Sequence, residues 1–266
     1  MANMGSRLTN KPRSSLNSGL DVLVLLSKRR GNANLTEIAA ALGMSKSGVH
    51  SLLSTLSERG FIERDDNGAY HLGLKAWEIG CGVPQLDVGR LAAPFMNDLV
   101  RTVSEGAILG ILNGCDVTYA HLIESPQPVR VHAELGDRIP AHWTSTGLAL
   151  LSALPDDEVR DVLPKKLEPK TDQTITDIDQ LIRELQRIRT RGYAINRGGW
   201  RLDVGGVAAP VLAQGGRPAA AVCVAAPIYR MTKTWLATVS PAMLICVERI
   251  GKAIKTAPYV ARGYVA

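Results

Sequence analysis

Between residues 35 and 61 the apolar positions are Leu35, Ile38, Ala39 and Leu42, then Val49, Leu52, Leu53 and Leu56. This i, i+3, i+4, i+7 recurrence predicts two one-sided helices. Gly43-Met44-Ser45 separates them. Gly43 suits the left-handed residue that ends one helix, and Ser45 can cap the next. Asn34 and Glu37 stand in capping-box spacing at the first start. The expected product is a helix-turn-helix, with a further helix over 16–27, where Leu16, Leu20, Leu23 and Val24 share helical spacing. Residues 61–64 and 69–72 read as two short strands around Asp66-Asn67-Gly68, which makes a wing. A short closing helix over 74–80 and a break over 80–84 follow.

Helical spacing resumes over 87–102, with Leu91, Phe95, Leu99 and Val103 on one side. Pro94 removes a backbone donor and predicts a kinked or two-part connector. Beyond Glu105 the period becomes strand-like. Runs at 107–112 and 117–123 flank the hairpin signal Asn113-Gly114-Cys115-Asp116, and 129–134 reads as a third strand. Helices are expected over 147–153, 156–163 and 177–191, then strands over 207–212 and 219–225 around Gly215-Gly216. A long helix over 233–255 closes a mixed α+β arrangement.

Composition narrows the function. A chain of 266 residues suggests two domains, and 45% hydrophobic with 21% charged residues is ordinary for a globular protein. A net charge of +6 and a pI near 9.2 favour a polyanionic partner. In residues 1–34, Arg7, Lys11, Arg13, Lys28, Arg29 and Arg30 face only Asp21, so the positive end coincides with the helix-turn-helix. Cys81, Cys115, Cys223 and Cys246 show no paired spacing and read as free thiols, and the five histidines show no metal-ligand spacing. No metal or cofactor is expected. Neither a signal peptide nor a bilayer-spanning apolar run is evident, which makes the expected location cytoplasmic.

The second helix of the pair is the candidate reading helix. Lys46, Ser47, His50 and Ser51 lie off its apolar face and are short or cationic hydrogen-bonders suited to a major groove. Thr36, Ser45 and Gly48 join them as candidate contacts near the two helix starts, with Arg64 in the wing and Lys11 or Arg13 in a basic arm for phosphates. The plainer alternative is a helical hairpin whose polar face is merely solvated.

The residues Leu35-Thr36-Glu37-Ile38-Ala39, Lys46-Ser47-Gly48-Val49-His50-Ser51-Leu52-Leu53, Gly60-Phe61 and Tyr70-His71-Leu72-Gly73 resemble the IclR family of bacterial transcription regulators. Two departures stand in the reading helix: the family usually carries Thr at Gly48 and Arg at Ser51. The resemblance extends from Ser15 to Lys255. It implies a flexible basic arm (1–14), a winged helix-turn-helix domain (15–80), a linker and linker helix (81–103), a GAF-like effector-binding domain (104–258) and a tail (259–266). The effector domain would be an antiparallel sheet flanked by helices.

In that second domain, His142-Trp143-Thr144-Ser145-Thr146-Gly147 leads into a helical run, and helix N-termini favour anions. Thr144 or Ser145 is equally readable as an ordinary N-cap that binds nothing. By resemblance, the loop before this helix holds the carboxylate of a small effector through the positions of Ser145 and Thr146. The same alignment carries over Asn196, Gly206, Cys223 and Ala225; Cys223 and Ala225 share one strand face. The stretch Asn196-Arg197-Gly198-Gly199-Trp200-Arg201 reads as a loop, in which Arg201 or Arg197, with Trp200 or Trp143, forms a hypothesis for choosing an organic acid, aromatic ones among them. A solvated loop with one docked Trp is the alternative.

Two rival classes remain. Ser145, His142 and Asp137 suggest a Ser/His hydrolase, but no Gly-x-Ser-x-Gly elbow surrounds Ser145. A non-sensing oligomerisation domain is compatible with Leu148 where the family usually has Lys and with Gly199 where it usually has an acid. The expectation is a regulator, repressor or activator and not an enzyme, which binds a double-stranded DNA operator as a homodimer or homotetramer. A small organic acid would modulate it, and no membrane partner is expected.

Overall fold

The computed structural model describes residues 14–29, 33–82 and 84–257. Lys11 and Arg13 of the basic arm lie outside the described residues. The chain divides into two compact units, residues 1–83 and 84–266.

In the first unit, α1 (Ser15–Lys28) is capped by Ser14, whose Oγ accepts from Asn17 N at 3.2 Å. The capping box of α2 (Leu35–Leu42) is complete: Asn34 Oδ1 accepts from Glu37 N, and Glu37 Oε2 accepts from Asn34 N. Gly43, at φ 61°, ends α2 in the left-handed region, and Ser45 caps α3 (Lys46–Glu58). Strands β1 (Ile62–Arg64) and β2 (Tyr70–Leu72) pair antiparallel to form the wing, and α4 (Leu74–Gly80) follows. Gly73 is forced by packing, since a Cβ there would lie 2.4 Å from the Gly60 carbonyl oxygen. The core is drawn from every element but α4: Val22 and Leu26, Ile38 and Leu42, Val49 and Leu53, Ile62 and Tyr70.

The second unit opens with α5 (Pro84–Val103), which runs as one helix through Pro94. The two-part connector expected from that proline is not formed. Val88, Ala92, Met96 and Leu99 of α5 are buried in the unit's own core. A helix with one side buried this completely gains enough to offset a missing backbone hydrogen bond.

Among the described residues six strands form one antiparallel sheet in the order β5-β4-β3-β8-β7-β6. They are β3 (Ala107–Asn113), β4 (Asp116–Ile123), β5 (Arg138–Pro140), β6 (Ala194–Arg197), β7 (Val204–Leu212) and β8 (Pro218–Pro227). One face, with Leu109, Val207, Val222 and Val224, packs on α5 and on α9 (Lys233–Thr256). The other, with Ile108, Ala208, Ala221 and Cys223, packs on α6 (Ser145–Ser152) and α8 (Ile178–Arg191), with α7 (Asp156–Val162) beside them. Period-two alternation on β7 and β8 thus separates two hydrophobic layers.

Residues 129–134 form no strand. The edge of β4 is instead paired by β5 (Val117 opposite Ile139), and Pro126 and Pro128, which lack N–H donors, precede the misread run. Residues 196 and 197, expected in a loop, end strand β6, with Asn196 opposite Gly206 and Arg197 opposite Gly205. Among the described residues no helix is long and apolar enough to cross a membrane.

Candidate DNA-reading face and ligand recess

On the first unit, Lys46, Ser47, His50 and Ser51 are all exposed along α3, as are Thr36 and Ser45. The reading helix therefore shows a continuous polar face opposite buried Val49 and Leu53. Ser45 Oγ is committed locally: it accepts from Gly48 N at 3.2 Å and lies 3.3 Å from Ser47 Oγ. Gly48 is half-buried, and a Cβ there would lie 3.1 Å from Ser45 Oγ. Arg64 projects from the wing, its Nε donating to Gly68 O at 3.3 Å and its guanidinium 5.5 Å from the Tyr70 ring centre. His50, Ser54, Ser57 and Arg64 border one groove between α3 and the wing. Ser54 and Ser57 were not singled out by sequence, although they share the exposed face of α3.

On the second unit a small recess forms where α6 meets β3, β7 and β8. It brings together Trp143, Ser145, Thr146, Asn196, Trp200, Gly206, Cys223 and Ala225, eight of the ten positions expected from sequence. Ser145, Thr146 and Cys223 are buried. Ser145 Oγ lies 3.3 Å from Cys223 Sγ. A Cβ at Gly206 would come within 2.7 Å of Ser145 Oγ, so the bare glycine backbone is what keeps the recess open. Thr144 is the N-cap of α6, its Oγ1 accepting from Gly147 N at 3.0 Å. The N–H groups of Ser145 and Thr146, in the first turn, have no partner within the helix. Among the described residues no charged side chain lines the recess.

Asn196 staples this wall together. Its Nδ2 donates to Trp143 O at 3.2 Å, and its Oδ1 accepts from Gly199 N at 2.9 Å. Trp143 Nε1 and His142 Nε2 both approach Glu168 O, at 2.8 and 3.0 Å. Since a carbonyl only accepts, His142 carries its proton on Nε2, and Trp143 offers the recess its ring and not its N–H. Lys170 Nζ sits 5.5 Å from the Trp143 ring centre.

Arg197 and Arg201 are not among the residues that line the recess. An Arg197 Nη2 donates to Met231 O, and Arg201 pairs with Asp203 at 3.1 Å while lying 5.9 Å from the Trp200 ring centre. Ile108, Tyr119, Val131 and Val204 line the recess and were missed. Ile108 sits opposite Cys223 across the β3–β8 ladder, a relation that only strand register reveals.

The hydrolase arrangement is not assembled. His142 Nε2 is held by Glu168, Ser145 by Cys223, and an Asp137 carboxylate oxygen by Glu134 N at 3.0 Å. Burial also pushes the Cys223 thiol up, which keeps it uncharged and unreactive.

Burial lowers the imidazole pKa of His142 and of His121, whose Nε2 has no hydrogen-bond partner among the described residues. Both would titrate near 6.5 unfolded and lower when folded. The unfolded chain then binds more protons below 6.5, so stability falls as pH drops through that value. Glu105, raised by burial, acts with the opposite sign and contributes most in acid. We expect the drop in Tm between about pH 7.5 and about pH 5.5 to be smaller in His121→Gln than in wild type. An equal drop, read by thermal unfolding, would contradict this assignment.

A winged helix-turn-helix joined to a sheet domain with a recess of indoles and hydroxyls defines a DNA-binding regulator. Residues 82–252 match the family described as "Bacterial transcriptional regulator IclR C-terminal", and residues 7–66 match the "IclR helix-turn-helix domain". The chain belongs to the IclR family of bacterial transcriptional regulators. It is 35% identical over 233 residues to the HTH-type transcriptional regulator BhcR of Paracoccus denitrificans, covering 86% of this chain and 83% of that protein. The IclR crystal structure of Thermotoga maritima is similar with a TM-score of 0.74 and 27% identity, over 90% of this chain and 97% of that one. An IclR homolog from Microbacterium hydrocarbonoxydans, complexed with 4-hydroxybenzoate, gives a TM-score of 0.77 and 26% identity, over 90% and 100%. BhcR is named a transcriptional regulator, the class to which both family matches also point.

Proposed function

We propose that a small organic acid, aromatic acids included, binds in the recess and modulates operator affinity. The observation that carries this is the first turn of α6: Ser145 and Thr146 are buried there, facing uncharged walls and two indoles. An acid's carboxylate would be met by unpaired N–H groups, hydroxyls and the positive helix end, in a setting with no competing side-chain charge. The relative that holds 4-hydroxybenzoate supports this class of ligand.

Lys46, Ser47, Gly48, His50 and Ser51 would face the major groove, with Thr36 and Ser45 beside them and Arg64, Lys11 and Arg13 toward phosphates. A homodimer or homotetramer would present two reading helices to a two-fold operator. Self-association is supported by Leu16, Leu20 and Val24, which recur every four residues on α1 and are 71%, 52% and 53% exposed. The acid would act through its different affinity for two arrangements of the protein, transmitted along α5.

The test is thermal unfolding with a panel of aliphatic and aromatic carboxylates. A binding acid at a hundred times its Kd adds about 2.7 kcal/mol. Gly206→Ala, whose methyl would crowd Ser145 Oγ, is expected to abolish that stabilisation and leave operator binding intact. A full ligand shift in Gly206→Ala would contradict the assignment.

A further inference from the structure

The recess does not end at Ala225. A second small cavity continues along the same sheet face and shares three lining residues with the first, Ile108, Val131 and Ala225. Its far end is bounded by Gly106, Leu122, Ser125 and Ala133, beneath the irregular chain between β4 and β5. The cavity volumes are about 30 and about 20 Å³. Each is room for roughly one or two water molecules, so an organic acid can enter only where a wall gives way.

The walls differ in how readily they move. Ile108 and Ala225 are sheet residues held in the β3–β8 ladder and its continuation, where Ala225 N reaches Gly106 O at 3.4 Å. Val131 and Ala133 are half-buried and belong to chain with no ladder partner. That chain is pinned at its base: Arg230 Nε lies 3.0 Å from buried Glu105, an Arg230 Nη2 donates to Val129 O, and Ser125 Oγ donates to Glu105 Oε2 at 3.4 Å. Between the pin and β5, Val131 is the one of the three shared lining residues that belongs to chain with no ladder partner, so the wall it forms is the one freest to move.

We propose that this second cavity is a distal subsite of the effector recess. It would take the uncharged arm of an acid whose carboxylate sits at Ser145 and Thr146, and Val131 is the partition between the two. The inference rests on the recess being the acid site. The chemistry of the arm follows from the lining. Aliphatic Leu122, Val131 and Ala133 favour methylenes, and Ser125 with the neighbouring backbone can hydrogen-bond a terminal hydroxyl. Of the lining residues Glu124 carries a charge, and it is paired with Arg130 at 2.9 Å, so a negatively charged arm is disfavoured.

Calorimetric titration of the full chain with butanoate and 6-hydroxyhexanoate tests this. Wild type is expected to bind the longer acid at least about tenfold more tightly, the effect of burying roughly two methylenes. Ala133→Leu, which fills only the second cavity, should bring that ratio close to one with the butanoate Kd unchanged. Val131→Ala, which enlarges the passage without adding bulk, should keep or raise the ratio. Equal affinities in wild type, or a ratio that Ala133→Leu leaves intact, would overturn the subsite while the acid site stands. If neither acid binds, the subsite falls, and titration of the same protein with 4-hydroxybenzoate decides whether the acid site stands.

Discussion

Gly147→Ala should lower the melting temperature of the second unit sharply. A Cβ at Gly147 would lie 2.0 Å from the Ala141 carbonyl oxygen and 2.4 Å from its Cα, both backbone atoms that cannot swing aside. Helix α6 crosses the 3-10 turn Ala141–Trp143 at this point, and the crossing sets where Ser145 and Thr146 stand. Overpacking against flexible side chains already costs roughly 1–3 kcal/mol, and a backbone clash belongs at or above the top of that range. The corresponding drop in Tm is roughly 6–12 °C for a domain of this size. The unfolding can be followed through Trp143, Trp200 and Trp235. Gly19→Ala supplies the contrast. Gly19 lies inside α1 and a Cβ there meets nothing within 4 Å, so the substitution should be neutral or stabilise the first unit by about 0.5–1 kcal/mol. If Gly147→Ala melted with wild type, the close crossing of α6 over the turn would be wrong.

Lys46→Ala should weaken operator binding about tenfold and lower the slope of log K against log salt by about 0.9. Lys46 is the first residue of α3, exposed next to the Ser45 cap, and it is the cation among the polar residues on the reading face. Retention of the wild-type slope, measured across a salt series, would remove Lys46 from phosphate contact. Ser45→Ala separates contact from folding: it should destabilise α3 by about 0.5–2 kcal/mol and leave the salt slope unchanged.

The first unit was legible because its signals are local. Asn34 and Glu37 close a box with each other, Gly43 turns the chain, and Ser45 caps within three residues. The second unit depends on pairing between distant strands, and there the reading failed in specific places. The run 129–134 has the right residues for a strand, but the edge it would use is taken by Arg138–Pro140. Asn196 and Arg197 looked like loop because glycines follow them, whereas their conformation is set by pairing with Gly206 and Gly205.

The recess shows the same division. Ser145 and Thr146 could be placed from the helix start, and Cys223 with Ala225 from strand alternation. Ile108 and Tyr119 enter only through the register of β3 with its neighbours, and Val131 through irregular chain that carries no periodic signal. The arginines stand outside the lining, and Asp203, two residues beyond Arg201, pairs with it, a contact that proximity in sequence alone could have suggested.

The most direct test of acid-controlled operator binding is the affinity of the purified full chain for the DNA upstream of its own gene. It should be measured at fixed salt, with and without each carboxylate that stabilises the protein thermally. We expect at least one such acid to shift the affinity by at least about fivefold, a coupling of roughly 1 kcal/mol or more, and Gly206→Ala to remove the shift without removing DNA binding. Operator affinity unchanged by every stabilising acid would contradict the account.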